Sequence, residues 1–269
     1  MKNVLIITQN EPFYIPKMIR YILEKKNKDI NIVGYTILKP HRKNKNFYHW
    51  FMERARIYSF FELMIVFFAM MLVKFFGFFS DRYSVQKIMN QYSVKEFFSD
   101  DINSDNYIRL LEPLNLDFII SISCPHLFEE KLLSIPRLAC INAHGTLLPR
   151  HRGVFGSWWT VYKNDMEAGG TIHTMELKLD AGEILWQEEF LVDKNDTQYS
   201  IAYKTKKMMA RGLLDAIKNF DKIISNPIQS KYQSSYHRSP SRKLGKDFHK
   251  KGNRVLTVRD LKRMLSSKY

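Results

Sequence analysis

The chain has 269 residues, 45% apolar and 14% aromatic, with a formal net charge of +15. That length suits one large domain, or a domain with a small appendage, built on a sizeable core. Its two cysteines, Cys124 and Cys140, sit in apolar, strand-like surroundings; they read as buried thiols in a reducing compartment and exclude a disulfide framework. No group of His, Cys and acidic residues has the spacing of a zinc site, so no metal is expected.

The charge is uneven. Twelve Lys/Arg against two Asp/Glu from Asn226 to Tyr269 give +10, and six against one from Lys39 to Arg56 give +5. The rest of the chain is therefore near neutral. A basic C-terminal stretch can meet nucleic acid, an anionic membrane face or an anionic substrate, or can simply be a solvated surface.

In chain order, Val4 to Thr8 reads as an apolar strand, and no basic segment, long apolar stretch and cleavage site mark a signal peptide there. Met18, Ile19, Ile22 and Leu23 have helical spacing between Pro16 and Lys25, and Ile30 to Leu38 is a second strand. Strand, helix, strand in under forty residues predicts an α/β fold with a doubly wound, mostly parallel sheet. The Gly-x-Gly-x-x-Gly fingerprint of dinucleotide binding is absent, so NAD is not implied. Ile57 to Phe79 is almost wholly apolar and long enough to span a bilayer. It contains Glu62 and Lys74, however, and a single crossing would separate strands that belong to one sheet. It is therefore predicted to be a helix outside the sheet, with an apolar face the monomer cannot bury. Lipid at the interface, next to the basic flank of Lys39, Arg42, Lys43, Lys45, Arg54 and Arg56, or a protein surface such as a homodimer or a helical hairpin, would cover it.

Asn106 to Leu114 reads as a short amphipathic helix, Phe118 to Ser123 as a central strand, and Leu138 to Ile141 as another buried strand. Helices are expected over Gly156 to Tyr162, where Trp158 and Trp159 read as core, and over Thr197 to Ile217, capped near Thr197 to Ser200. After Asn226-Pro227 the composition shifts. Tyr232 to Pro240 reads as an extended arm, and Asp247 to Lys251 and Val258 to Leu265 as short basic helices. The domain reading is a core over 1–225 and a basic extension over 226–269.

The chemistry centres on Cys140 to Gly153. Asn142 and His144 are two apart where a strand ends, so an extended backbone puts both side chains on one face. Gly145 and Pro149 then turn the chain out of the sheet. An amide can donate to a developing oxyanion, and an imidazole can take or relay a proton near neutral pH. Taken alone, such a pair is as readily two satisfied polar residues at a strand end. Downstream, Thr171 to Leu177 reads as a strand and Ala181-Gly182 as a turn, leaving Asp180 in a loop where it could orient His144.

Asn142-x-His144, Leu147-Leu148-Pro149-x-x-Arg152-Gly153, Gly169-x-Thr171-Ile172-His173 and Leu179-Asp180-x-Gly182-Glu183-Ile184, in that order, resemble the formyltransferases that use 10-formyltetrahydrofolate. The resemblance runs from about Asp117 to Leu214. It implies a Rossmann-like formyltransferase fold and a catalytic set of Asn142, His144 and Asp180. It also implies a folate site at Pro125, His126, Leu127, Phe128 and Leu177, although His126 taken alone reads equally as a surface loop residue. Ala143, Lys178 and Ala181 depart from the family pattern and bear on substrate fit, not on the three catalytic side chains.

Within that resemblance, about forty-five residues follow the last core helix, too few for the C-terminal barrel of methionyl-tRNA formyltransferases. The expected acceptor is therefore a small-molecule amine, on a nucleotide-linked sugar, and not a nucleic acid. Arg152, Tyr232 and Tyr236 are the substrate-facing candidates, with Arg238, Arg242 and Lys243 near enough to meet a diphosphate. The tyrosines could equally pack the arm on the core. Methionyl-tRNA formylation, formyltetrahydrofolate hydrolysis and non-catalytic, membrane-associated binding are the competing readings. The expected location is cytoplasmic, with membrane contact through 57–79 as the variant.

Overall fold

A computed structural model describes residues 1–39 and 47–266. Arg42, Lys43 and Lys45 of the basic flank lie outside these described residues. In chain order the first half contains strand β1 (Lys2–Gln9), helix α1 (Ile15–Lys25), β2 (Ile30–Leu38), α2 (Phe47–Ala55), α3 (Phe60–Phe79), α4 (Val85–Gln91), β3 (Lys95–Glu96), α5 (Asp105–Leu111), β4 (Phe118–Ile122) and α6 (Glu130–Leu133). The second half contains β5 (Ala139–His144), β6 (Arg152–Gly153), α7 (Gly156–Lys163), β7 (Glu167–Thr174), β8 (Ile184–Leu191), α8 (Gln198–Lys218), α9 (Phe220–Ile224), β9 (Tyr236–His237), α10 (Arg242–Lys250) and α11 (Val258–Leu265).

Seven strands form one sheet in the order β3-β2-β1-β4-β5-β7-β8, parallel from β3 to β5 and antiparallel at β7 and β8. This is the doubly wound, mostly parallel sheet the sequence predicts. The central strands read as continuous apolar runs because both faces are covered. Val4 and Ile6 of β1 join Phe118 and Ile120 in a core beneath α1, α4 and α8. Leu5 and Ile7 join Ile119 and Cys140 in a second core beneath α5 and α6.

Several boundaries differ from the sequence reading, each for a local reason. The central strand stops at Ile122 because Ser123 turns to φ 54°, which moves Cys124 into a loop. Burial pushes the Cys124 thiol up to about 12, so the sulfur stays protonated and unreactive there. Strand β7 ends at Thr174 rather than Leu177, and the helix after Ser104 tightens at Pro113 into a 3-10 turn over Glu112–Leu114. Strand β8 adds an antiparallel edge that the local sequence pattern does not mark.

The residues after Asn226 pack into the same body. Phe248 and Val255 share a core with Ile57 and Trp158, and Leu256 and Met264 share one with Phe13 and Tyr199. Trp158 is stacked between Tyr162 and Phe248, with centroids 4.9 and 4.8 Å away. The fully buried Asp260 joins two helix starts: its Oδ2 accepts from Thr257 N at 2.9 Å and from Thr197 Oγ1 at 3.0 Å. The ion pair of its Oδ1 with Arg263 at 2.6 Å offsets the burial of the carboxylate.

Candidate active site

Strand β5 delivers Asn142 and His144 to the carboxyl edge of the sheet, where open α/β sheets bind their ligands. Both point to the side of Cys140, as the period of two requires. The neighbouring strand β7 runs antiparallel with Asn142 directly opposite His173. That register brings a second imidazole to the pair. His173 Nδ1 donates to the Thr174 carbonyl at 2.7 Å, so its Nε2 is the acceptor for Asn142 Nδ2 at 3.1 Å. Burial, reinforced by the neighbouring His144, lowers the ionisation of His173 to about 4, which keeps it the neutral acceptor that Asn142 needs. One amide proton of Asn142 is thereby spent and the other remains for a ligand.

Asp180 closes the set from the loop after β7. It sits at φ 50°, in the left-handed region that Asp tolerates better than most side chains. Its Oδ1 lies 3.5 Å from His144 Nδ1 and 3.9 Å from His173 Nε2, and its Oδ2 accepts from Gly153 N at 2.7 Å. His144 Nε2 lies 3.3 Å from the His151 carbonyl oxygen. Each ring nitrogen of His144 thus faces an acceptor. Asn142, His144 and Asp180, predicted as a set, do come together. His173 was part of a recognised motif without a role; pairing of β5 with β7 reveals it as the residue that orients Asn142. Donor atoms of His144, His173 and Asp180 lie within 4.8 Å of one another, close enough to converge on a cation. Both ring nitrogens of His173 are already engaged, which leaves that residue no lone pair for a metal.

The four residues border a cleft of about 870 Å3. Pro125, His126, Leu127, Phe128 and Leu177 all line it, as the family resemblance implies for the folate site. Asn103 holds the 125–128 loop from behind, donating to Leu127 O at 2.9 Å and accepting from Glu129 N at 3.0 Å. Leu127 and Leu177 remain 59% and 70% exposed, so this wall of the cleft offers uncovered apolar surface. The cleft is also lined by three cationic residues from distant parts of the chain, Arg54, Lys206 and Arg238. Burial lowers the Lys206 ammonium to about 8, and its Nζ donates to Ser123 Oγ at 2.6 Å.

Of the three substrate-facing candidates, Tyr236 lines the cleft and Arg152 and Tyr232 do not. The Tyr232 hydroxyl donates to Glu167 and Glu189 at the sheet edge, and Arg150 lies over its ring at 4.4 Å. This tyrosine pins the arm to the body, the packing role its residue type also allowed. Arg152 belongs to β6, which pairs in parallel with β9 of the arm. Gly153 is the junction. At φ 100° it favours glycine, and a Cβ there would lie 2.2 Å from the His237 carbonyl oxygen. The same residue that lets the arm approach therefore also supplies the amide that holds Asp180. Arg242 and Lys243 are exposed on α10 and are not part of the cleft wall.

Comparison with known proteins agrees with this architecture. A methionyl-tRNA formyltransferase of Prochlorococcus marinus (strain MIT 9215) is 33% identical over 129 residues, which are 48% of this chain and 39% of that protein. The matched segment thus spans about two-fifths of such a relative. Among solved structures, a sugar N-formyltransferase from a Shewanella species superposes with TM-score 0.54 at 19% identity, covering 99% of this chain and 89% of its own. An N-formyltransferase from Helicobacter canadensis, in complex with folinic acid and dTDP-3-aminofucose, superposes with TM-score 0.51 at 20% identity, covering 88% and 71%. At these identities the superpositions speak to fold alone. The model of the formyl transferase family matches residues 80–217, which is just over half of the chain and includes every residue of the Asn142, His144, His173 and Asp180 cluster. On that match this chain belongs to the formyl transferase family.

Proposed function

We propose that this protein transfers a formyl group from 10-formyltetrahydrofolate to the primary amine of a small anionic acceptor, a nucleotide-linked amino sugar, in the cytoplasm. The observation that carries the reading is the meeting of Asn142, His144 and Asp180 at one rim of a ligand-sized cleft. The remaining amide proton of Asn142 is available to the oxygen on which negative charge develops during acyl transfer. His144, held by Asp180, takes the proton released by the attacking amine or donates toward the same oxygen. Gly153 N fixes the Asp180 carboxylate, so the proton-handling pair is set before substrate arrives.

The folate supplies the formyl carbon. The exposed Leu127 and Leu177 fit it, because a flat ring would cover both. The acceptor end is argued from charge. Arg54, Lys206 and Arg238 suit a phosphorylated ligand, and Tyr236 offers a ring in the same cleft. The dTDP-amino sugar bound by the Helicobacter canadensis protein has this chemistry.

A second reading, formylation of methionyl-tRNA, is favoured by the curated relative from Prochlorococcus marinus. One assay separates the readings. Full-length protein is mixed with 10-formyltetrahydrofolate and followed by folate absorbance, alone, with dTDP-amino sugars, or with charged initiator tRNA. Turnover that requires the amino sugar supports the proposal. Turnover that requires tRNA, or that needs no amine, replaces it with the second reading or with hydrolysis.

A further inference from the structure

Helix α3 has two faces of opposite status, and only one is covered. Glu62, Ile65, Ala69 and Val73 recur every three or four residues and form its buried stripe. Phe13, Tyr83, Tyr199, Leu256 and Met264 pack against that stripe. The opposite side presents Met64, Phe67, Met71, Phe75 and Phe78 to solvent, with Phe67 61% exposed. From Leu63 to Phe79 the only charge is Lys74. None of these residues borders the catalytic cleft.

The helix is twenty residues long and apolar enough to cross a bilayer by composition, but its connections forbid a crossing. Strand β2 before it and strand β3 after it pair with each other in one sheet. Both ends therefore return to the same side, and the helix must lie flat along whatever covers it.

Its surroundings are cationic. Helix α11 packs along α3 and exposes Arg259 and Lys262. At the far end Lys87 donates to the Gly77 carbonyl at 2.8 Å, and the Arg82 guanidinium lies 5.7 Å from the Phe76 ring. Asp81 pairs with Lys87 at 3.6 Å, which leaves as excess positive charge Lys74 on the helix itself, Arg82 at its far end, and the exposed Arg259 and Lys262 on the helix packed beside it. A second copy of this chain, itself at +15, would bring the same cations against them. A surface of negative charge over hydrocarbon complements both the ring and its centre.

We propose that α3 is a docking device for anionic phospholipid bilayers. Its outward phenylalanines and methionines enter the acyl region, the surrounding Lys and Arg side chains meet the headgroups, and the stem of Lys74 carries its ammonium up to the same level. The inference adds a place of action to the catalytic reading without depending on it.

The test uses the full chain with sedimented vesicles of phosphatidylcholine, with and without phosphatidylglycerol, and the protein's hydrodynamic mass without lipid. The parent is expected to be a monomer that partitions at least about tenfold better onto the anionic vesicles. The triple variant Phe67→Ser, Met71→Ser, Phe75→Ser should lose about tenfold or more of that partitioning while keeping the parent's circular dichroism and vesicle-free folate turnover. The double variant Arg259→Glu, Lys262→Glu should lose the preference for anionic lipid. Equal vesicle binding by parent and triple variant overturns the proposal, as does a parent that stays in the supernatant with both vesicle types. A parent that is dimeric without lipid, and that the triple variant turns into a monomer, assigns the face to a second copy instead.

Discussion

The rim of the candidate cleft and the outer face of α3 invert the usual distribution of side chains in opposite ways. At the rim, His173 is 2% exposed and the Asp180 side chain is buried beside it, yet both ring nitrogens of His173 are hydrogen-bonded, and Asp180 accepts from Gly153 N through Oδ2 while its Oδ1 faces His144 Nδ1 at 3.5 Å. On α3, large apolar side chains stand in water, uncovered by any of the described residues. Buried polar groups cost little once every bond is made, whereas exposed apolar area costs about 25 cal/mol per Å2 however well the protein is built. The rim is therefore complete within one chain, and the helix face is complete only against something else. Substitutions should follow that difference.

The largest effect is expected at Asp180. Asp180→Asn keeps an oxygen that can accept from Gly153 N but removes the negative charge beside His144 Nδ1. The formyl transfer rate should fall by about 10²- to 10⁴-fold, measured as kcat at saturating acceptor. A rate within a factor of about two of the parent would remove Asp180 from the proton-handling pair.

His173 tests the rim through pH. Its folded ionisation lies near 4 against an ordinary value of 6.5. A depressed value means that the folded protein binds fewer protons than the unfolded chain between these two points. The stability present above 6.5 is thus lost as pH falls toward 4. His173→Gln should flatten that slope in urea unfolding at successive pH values. The slope is the readout, because the substitution also lowers stability at every pH.

On α3 the comparison sharpens within one helix. Glu62 belongs to the buried stripe, where its carboxylate caps the helix through Ser59 N at 2.7 Å and accepts from Val255 N at 2.8 Å. His249 lies 3.5 Å from the same group. Glu62→Ala strips a partner from three backbone donors, Ser59, Val255 and Leu256 N, and frees the segment leading into α11. A loss of about 2 kcal/mol is expected in chemical unfolding, with the change confined to stability.

How far the sequence disclosed all this depended on whether a feature was local. Asn142 and His144 were legible because a period of two is fixed within one strand, and α3 was legible because its composition is extreme. His173 acquires a role only from the pairing of Asn142 with a residue 31 positions away, which no local pattern encodes. Strand β8 was hidden because Gln187, Glu188 and Glu189 of an edge strand obscure the alternation that marks a strand. The body-wide packing of the basic extension rests on a few residues, Phe248, Val255, Leu256 and Met264, scattered among many cations. Tyr232 is ambiguous for a related reason: an aromatic ring beside Lys and Arg suits a ligand site or a packed arm alike, and only the structure shows its hydroxyl against two glutamates on neighbouring strands.

The smallest expected effect is at Phe67, on the side of α3 opposite Glu62. Its side chain touches no core, and serine there exchanges exposed aromatic surface for a hydroxyl that water satisfies. Serine is a poorer helix former than the residues around it by a few tenths of a kcal/mol, and losing exposed apolar area offsets part of that. The net change in unfolding free energy should stay within about 0.5 kcal/mol, as at surface sites free of special contacts. Val73→Ser, at the same depth in the helix but on the buried stripe, should cost about 2 kcal/mol or more by leaving both a void and a desolvated hydroxyl. Parallel urea melts of the two variants measure the contrast directly. A Phe67→Ser protein as unstable as Val73→Ser would mean that the outer face is covered within the folded chain, and the division of α3 into a held face and an offered face would fail with it.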